Sequence, residues 1–344
     1  MAFQIVNPID HPDWDELVSK TKNSSFFHSS AWARTLVESY GYKPLYFVDF
    51  EESDLTMLIP FMEIDSYLTG KRGVSLPFSD ECPPKAVNNE DLWRTVDVIR
   101  DYGSKAGWRY AEWRSNEYFP KGVPISEAFY VHDIDLRKAE RQLFSQLGKA
   151  NQRNIKKAIR ENVSTEISQS LKSLISFYRL NCLTRKRHGL PPQPFAFFKS
   201  VFNNIISRDF GFIVSAFHSG KIIGSSIFFH FNSQAIYKYG ASTMKYQHLR
   251  PNNLIMWDAI RWCRDRGFES LNLGRTEVEN IGLLRYKRMW GASERALNYY
   301  RYDIRKNGYV SCLRRKDDFV KRFFPYLPVP ILRFIGKIIY RHVG

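Results

Sequence analysis

Two segments 160 residues apart repeat one pattern, KAGWRYAEWRS around Gly107 and DRGFESLNLGRT around Gly267. In each, the end of a helix-patterned stretch is followed by a strand-like run, and the two segments line up at Gly107 and Gly267. A second pair, YFVDFEESDLTMLIPF and FIVSAFHSGKIIGSSIFF, reads as two apolar strands joined by a short polar turn in each half. Repetition at this spacing far exceeds the roughly 20–50-residue period of a solenoid and indicates a duplicated domain. A chain of 344 residues, 44% hydrophobic, has the length and apolar content for two cores.

The remaining elements fit that plan. Helical periodicity over 13–22 and 29–40 precedes the strand-like runs PLYFVDF and LTMLIPFMEI and a third stretch ending in VSLPF. An amphipathic helix, LWRTVDVIRDYGSKAG, then leads to the strands WRYAEWR and FYVHDIDL. The second half gives helices LKSLISFYRLNCLTRKRHG and PFAFFKSVFNNII and strands FGFIVSAFH, KIIGSSIFFHF and AIYKYGAS. It continues with helix NLIMWDAIRWCRDRG, strand FESLNLG, helix NIGLLRYKRMWG and strand ALNYYRYDI. The class is α/β layers with mixed sheets. Four segments are expected: a domain over 1–137, a basic helical junction over 138–162, a second domain over 163–304 and a basic tail over 305–344.

Charge narrows the partners. Lysine and arginine number 51 against 35 acidic residues, a net +16, which favours nucleic acid, a phosphorylated substrate or an acidic membrane. In the junction, Lys149, Arg153, Lys156, Lys157 and Arg160 recur at spacings of four and three, as a solvated helix face or as a phosphate-reading arm. The last forty residues hold ten Lys/Arg against Asp317 and Asp318, leaving +8, half the excess. There Ile331, Leu332, Phe334, Ile335, Ile338 and Ile339 form an apolar side, with Arg333, Lys337 and Arg341 on another. This suits a helix in an anionic interface, or one docked on the protein's own core. Pro325, Pro328 and Pro330 set the segment apart.

The first residues carry no recognisable export signal, and no window reaches the ~18 uninterrupted apolar residues of a spanning helix. Cys82, Cys182, Cys263 and Cys312 form no CxxC pair, so neither a zinc site nor a disulfide framework is implied. The expected location is cytoplasmic, peripheral to the inner face of the cell membrane, and no metal is expected.

The strings SSFFHSSAWARTLVESYGYKPLYF, LPFSDECPP, QRNIKKAIREN and FYRLNCLTRKRHGLP, and above all NLGRTEVENIGLLRYKRMWG, resemble the Fem-type peptidyltransferase family of the GNAT-like acyltransferase class. The resemblance runs from about residue 13 to 303 and implies two tandem GNAT-like domains, here with a basic amphipathic C-terminal helix appended. It also implies transfer of an acyl group, typically an aminoacyl group from aminoacyl-tRNA, to an amine of a cell-envelope precursor related to peptidoglycan or exopolysaccharide. The proline-led basic tail resembles that of Fem-like proteins associated with exopolysaccharide systems. No cofactor is implied beyond the co-substrate, aminoacyl-tRNA or acyl-CoA.

Such chemistry is attack of a neutral amine on an ester or thioester through an oxyanionic tetrahedral intermediate, so positioning and a few cations suffice. By the motif match, Lys287 is the candidate cation near the oxyanion or leaving oxygen, and Arg187 matches a basic position that contacts the acceptor's phosphates. Asp80, in a turn-rich loop after a strand, is the candidate acceptor of the amine's proton. Arg275 and Glu277 follow the strand FESLNLG, where strand ends open to ligands. Tyr239 is a candidate cleft-lining ring, and Arg153 and Lys156 are candidate phosphate contacts. Asn280 is placed to cap the following helix.

Two departures from the resemblance stand out. Fem-type enzymes often carry a lysine four residues after the first helix's tryptophan; here Trp32 is followed by Leu36, with Arg34 nearby, which argues against a UDP-linked muramyl-peptide acceptor. GNAT enzymes cradle CoA pyrophosphate with a Gly-rich turn at a helix start, and the corresponding LRPNNLIMW has none. The favoured reading is therefore an aminoacyltransferase. The alternatives are an acyl-CoA-dependent N-acyltransferase acting on a lipid- or nucleotide-linked sugar and a non-catalytic nucleic-acid-binding protein.

Overall fold

The computed structural model describes residues 3–21, 24–52, 54–85, 89–117, 119, 121–311 and 323–344. Cys312 and the basic residues between Arg314 and Arg322 lie outside them. The chain forms two compact units. One comprises Met1–Phe129, Ala296–Arg315 and Ile338–Gly344, and the other Tyr130–Arg295 and Lys316–Lys337. The boundaries read at 137 and 304 follow two strands that this division cuts near their starts, and neither 138–162 nor 305–344 is set apart as a unit of its own.

In the first unit, β1 (Gln4–Val6), α1 (Trp14–Lys20) and α2 (Ser30–Tyr40) precede the antiparallel β2 (Lys43–Glu51), β3 (Asp54–Ile64) and β4 (Arg72–Val74). Helix α3 (Asn89–Lys105) crosses back to β5 (Tyr110–Trp113), which runs parallel to β4. Ser29 starts α2 by accepting the Trp32 amide, and Gly41 ends it at φ 70°. Leu45, Phe47, Ile59 and Phe61 from β2 and β3 meet Val96 and Ile99 of α3 and the rings of Trp108 and Trp113. Leu36 is fully buried in this unit, where the family pattern places a lysine.

The second unit repeats the order. After β6 (Glu127–Asp135), α4 (Glu140–Gln146) and α5 (Lys149–Arg160) come β7 (Ser164–Ser168), α6 (Leu171–Arg187) and α7 (Phe195–Asn204). The antiparallel β8 (Gly211–His218), β9 (Lys221–Phe231) and β10 (Gln234–Ser242) follow. Helix α8 (Pro251–Asp265) then crosses to β11 (Ser270–Glu277), parallel to β10. β8 and β9 are buried almost throughout, and the serines inside their apolar runs, Ser215 and Ser225, pair with each other at 3.0 Å. Helix α9 (Ile281–Arg288) follows; β12 (Ser293–Asp303) begins in this unit, but from Ala296 on it belongs, with β13 (Gly308–Tyr309), to the first unit, and α10 (Val329–Val343) counts with the second unit up to Lys337 and with the first from Ile338.

The duplication is visible at single bonds. Gly107 and Gly267 take φ 74° and 80°; the amide after each reaches back five residues, Trp108 to the Gly103 carbonyl and Phe268 to that of Cys263. This is the same glycine-ended helix cap, made twice because only glycine adopts that φ without a Cβ penalty.

Burial also fixes a charge state in the first unit. His28 is fully buried, its Nε2 2.9 Å from the Pro83 carbonyl, and desolvation, helped by Lys85, lowers its pKa to about 4. An unfolded imidazole titrates near 6.5, so below that pH the unfolded chain binds the proton that the folded chain refuses. The stabilisation is complete above pH 6.5 and declines as pH falls to about 4, a loss of about 3 kcal/mol. Urea melts across this window should show that loss, and His28→Gln, less stable at neutral pH, should show a flatter slope; equal slopes would contradict the assignment.

Candidate functional site

The second unit contains a polar cleft of about 340 Å³ whose walls come from three separate stretches. Asn151 and Asn154 belong to α5; Gln247, Arg250, Asn252 and Asn253 to the turn that starts α8; Gly282, Arg285, Tyr286 and Met289 to α9 and the residue after it. The α5 and α8 walls are tied by buried amides. Asn253 Nδ2 donates to Asn151 Oδ1 at 3.0 Å, and Asn151 Nδ2 donates to the Met289 carbonyl at 3.0 Å. One asparagine thus fixes all three walls, and its burial makes each lost partner costly.

The α8 start is built without glycine. Arg250 holds the left-handed conformation at φ 62°, Pro251 takes the first helical position, and no side chain caps the helix. A non-glycine residue in this region costs about 1–2 kcal/mol, and such strain persists where the surroundings enforce it. Gln247 and Asn252 both donate to Ser242 Oγ, at 2.6 and 3.2 Å. From α6, Arg187 donates to the Ser242 carbonyl at 3.4 Å, so this predicted residue meets the cleft wall through one shared serine.

Helical phase separates neighbours on α9. Lys287 is 5% exposed, and its Nζ donates to the carbonyls of Gly274 (2.6 Å) and Arg275 (3.1 Å) at the end of β11. Lys287 therefore meets predicted Arg275 through the main chain and does not line the cleft. Tyr286, which sequence reasoning missed, does line it. Burial, with the neighbouring Tyr237 phenol, pushes its hydroxyl pKa well up, and its ring packs on the core of the unit. Asn280 caps α9 by accepting the Leu283 amide at 3.1 Å.

The other predicted residues are dispersed. Tyr239 packs its ring 5.5 Å from that of Phe198, a core contact, and Glu277 is exposed at the end of β11. Arg153 and Lys156 are exposed on α5, with the Lys156 ammonium 5.9 Å from the Phe144 ring beside an apolar groove lined by Phe144, Ile155, Ile159 and Trp257. Asp80 belongs to the first unit, where its carbonyl accepts the Tyr299 hydroxyl at 2.6 Å. Arg114 steadies that loop through the carbonyls of Leu76 and Ser79, and Leu76 and Phe78 both take positive φ. Among the described residues no cluster of three or more His, Cys, Asp or Glu could hold a metal.

The missed cleft residues include Asn151 and Asn253, 102 positions apart, and Arg250, Arg285 and Tyr286, which lie inside quoted motifs whose pattern does not show which of their side chains face the cleft. Asn151→Ala should lower stability by about 1–3 kcal/mol, as expected when buried amide partners are orphaned. Arg250→Gly should stay within about 1 kcal/mol of the parent, because relief of the left-handed strain offsets the added freedom of the unfolded chain. Chemical denaturation measures both.

A family model described as an acetyltransferase (GNAT) domain matches residues 149–288, which include every named residue of the cleft except Met289. A lipid II:glycine glycyltransferase of Staphylococcus haemolyticus (strain JCSC1435) is 27% identical over 79 residues, 21% of this chain and 19% of that protein. The alignment thus spans about a fifth of the length of that relative. The crystal structure of FemX superposes with a TM-score of 0.67 at 12% identity, covering 87% of this chain and 97% of that one. A tandem GNAT protein from the clavulanic acid biosynthesis pathway gives a TM-score of 0.53 at 10% identity over 88% and 98% of the two chains. L-PGS from Bacillus licheniformis gives 0.55 at 12% identity over 95% and 97%. Together with the repeated architecture, these likenesses show a tandem GNAT-like fold and support an acyltransferase of the Fem-type, GNAT-like family.

Proposed function

We propose that the protein transfers an aminoacyl group from aminoacyl-tRNA to an amine of a cell-envelope precursor, and that the polar cleft of the second unit receives the donor's reactive end. The observation that carries this reading is the start of α8. A pyrophosphate cradle uses glycine so that backbone N–H groups can approach phosphate closely. This turn instead presents Gln247, Arg250 and Asn252 side chains, joined by Arg285 from α9. Amide and guanidinium groups of this kind read sugar hydroxyls, base edges and phosphodiesters of a nucleic-acid terminus. The glycyltransferase relative acts on lipid II by its name, which supports a cell-envelope acceptor.

The chemistry breaks the ester bond between the aminoacyl carbonyl and a ribose oxygen and forms an amide bond to the acceptor nitrogen. The attacking amine loses a proton and the departing oxygen gains one. Tyr286, protonated and in the cleft, is the donor to the leaving oxygen. The proton released by the amine restores the Tyr286 hydroxyl, so the proton count of the step closes within the second unit; Asp80, in the first unit, has no part in this step. Lys287 acts through the end of β11, holding two carbonyls and placing a positive charge beside them. Arg153, Lys156 and Arg187 are proposed phosphate contacts, and Arg275, Glu277 and Tyr239 support the β10 and β11 ends. The uncapped α8 N-terminus also suits an acyl-CoA pyrophosphate, so an acyl-CoA-dependent N-acyltransferase is the second reading.

Gly282 provides the test. It lines the cleft, its φ is ordinary, and a Cβ built there meets nothing nearer than Asn280 Oδ1 at 4.0 Å. Gly282→Leu should therefore fold normally and fill the cleft. Equilibrium binding of aminoacyl-tRNA, deacylated tRNA and acetyl-CoA to parent and variant should show selective capture of charged tRNA, weakened about tenfold or more by Gly282→Leu. Selective acetyl-CoA binding, lost in the same variant, would transfer the assignment to acyl-CoA. In a transfer assay Tyr286→Phe should lower kcat about a hundredfold with little change in donor affinity, the scale of a lost general acid. Unchanged kcat would remove Tyr286 from the chemistry.

A further inference from the structure

Helix α10 has one face with an evident partner and one without. The end of the helix is held at His342, whose Nδ1 lies 2.9 Å from Ser66 Oγ and whose carbonyl accepts from Arg72 at 2.7 Å; along the helix Leu332 and Gly336 are buried, and a Cβ on Gly336 would stand 2.0 Å from the Pro192 carbonyl. That side satisfies the helix's need for packing. A different line of side chains, Ile331, Phe334 and Ile338, recurs at i, i+3 and i+7 and is 45%, 64% and 41% exposed. In the segment leading into the helix, Phe323 and Tyr326 are 55% and 85% exposed. Such a stripe of large apolar side chains in water is unfavourable unless it has an occupant.

Charge identifies the occupant. Arg333, Lys337 and Arg341 stand at i, i+4 and i+8 beside the stripe, and no acidic residue occurs between Phe323 and Gly344. Arg333 is partly engaged, its guanidinium 5.5 Å from the Tyr178 ring; Lys337 and Arg341 are exposed. A protein partner would have to bury a single line of three side chains, well below the roughly 800 Å² per partner of a stable interface. An anionic bilayer has no such requirement, because apolar side chains insert individually while neighbouring cations meet lipid phosphates. The helix is too short and too charged to span; among the described residues no helix is long and apolar enough to cross a membrane.

We infer that α10 seats the protein on an anionic lipid surface, with Ile331, Phe334 and Ile338 inserted and Lys337 and Arg341 at the headgroups. The inference is independent of the donor cleft. Co-sedimentation of the full chain with vesicles of phosphatidylcholine alone, and of phosphatidylcholine with phosphatidylglycerol, at low and high salt, tests it. Binding is expected only to the anionic vesicles. Phe334→Ser with Ile338→Ser, with melting temperature measured to confirm that the chain stays folded, should weaken it about tenfold or more. Lys337→Gln with Arg341→Gln should weaken it roughly thirtyfold and blunt its salt dependence. Absence of vesicle binding, equal binding to neutral vesicles, or full affinity in the apolar pair would overturn it. So would a lipid-free dimer that the same apolar pair dissolves, since the stripe would then serve a second copy of the chain.

Discussion

Burying the Lys287 ammonium costs several kcal/mol unless its hydrogens find acceptors, and the acceptors it finds are main-chain carbonyls at the end of β11. Those bonds fix the rotation of α9 about its axis. With Lys287 turned to the sheet, Tyr286, Arg285 and Gly282 have to lie along the cleft, because residues one, two and five positions away project in other directions on a 3.6-residue helix. The Asn280 cap fixes where α9 starts, so start and phase are both determined by short polar contacts. The motif lysine therefore acts on the cleft by orienting the helix that supplies a wall of it.

The same logic explains what could be read from the chain before its structure. Elements defined by apolar period were legible, down to the alignment of Gly107 with Gly267, because those signals are local. The cleft was not. Its residues converge from positions near 151, 250 and 285, and the asparagine that joins the walls has no periodicity or charge to mark it. Charge led instead to Arg153 and Lys156, which share α5 with Asn151 and Asn154 but lie on its exposed side. Sequence patterns report where a side chain sits on its own helix; they do not report which distant side chain it will meet.

The C-terminal helix shows that two readings of one pattern need not compete. Its apolar positions were open either to docking on the protein or to an interface, and they divide by phase. Leu332 and Gly336 pack inward, while Ile331 and Phe334, one position before and two after Leu332, face out. Gly336 is the residue that permits this, since any side chain there would collide with the Pro192 carbonyl and lift the helix from its seat. A helix held this closely on one face presents its other face in a fixed direction.

The glycine-free turn at α8 has the clearest chemical consequence. Relaxing the left-handed strain at position 250 requires only glycine, which would also recreate the backbone approach that a pyrophosphate cradle uses. Arginine there retains the strain and keeps a guanidinium at the cleft, next to Gln247 and Asn252, which are already oriented by Ser242. Preoriented side-chain donors discriminate by geometry, whereas a row of backbone amides binds any phosphate of suitable size. Strain of this kind persists where the surrounding fold enforces it, and here it coincides with the cleft that receives three walls. Under the proposed reading these side chains meet the shape and hydroxyls of a nucleic-acid terminus, features that offer directional partners a bare pyrophosphate lacks.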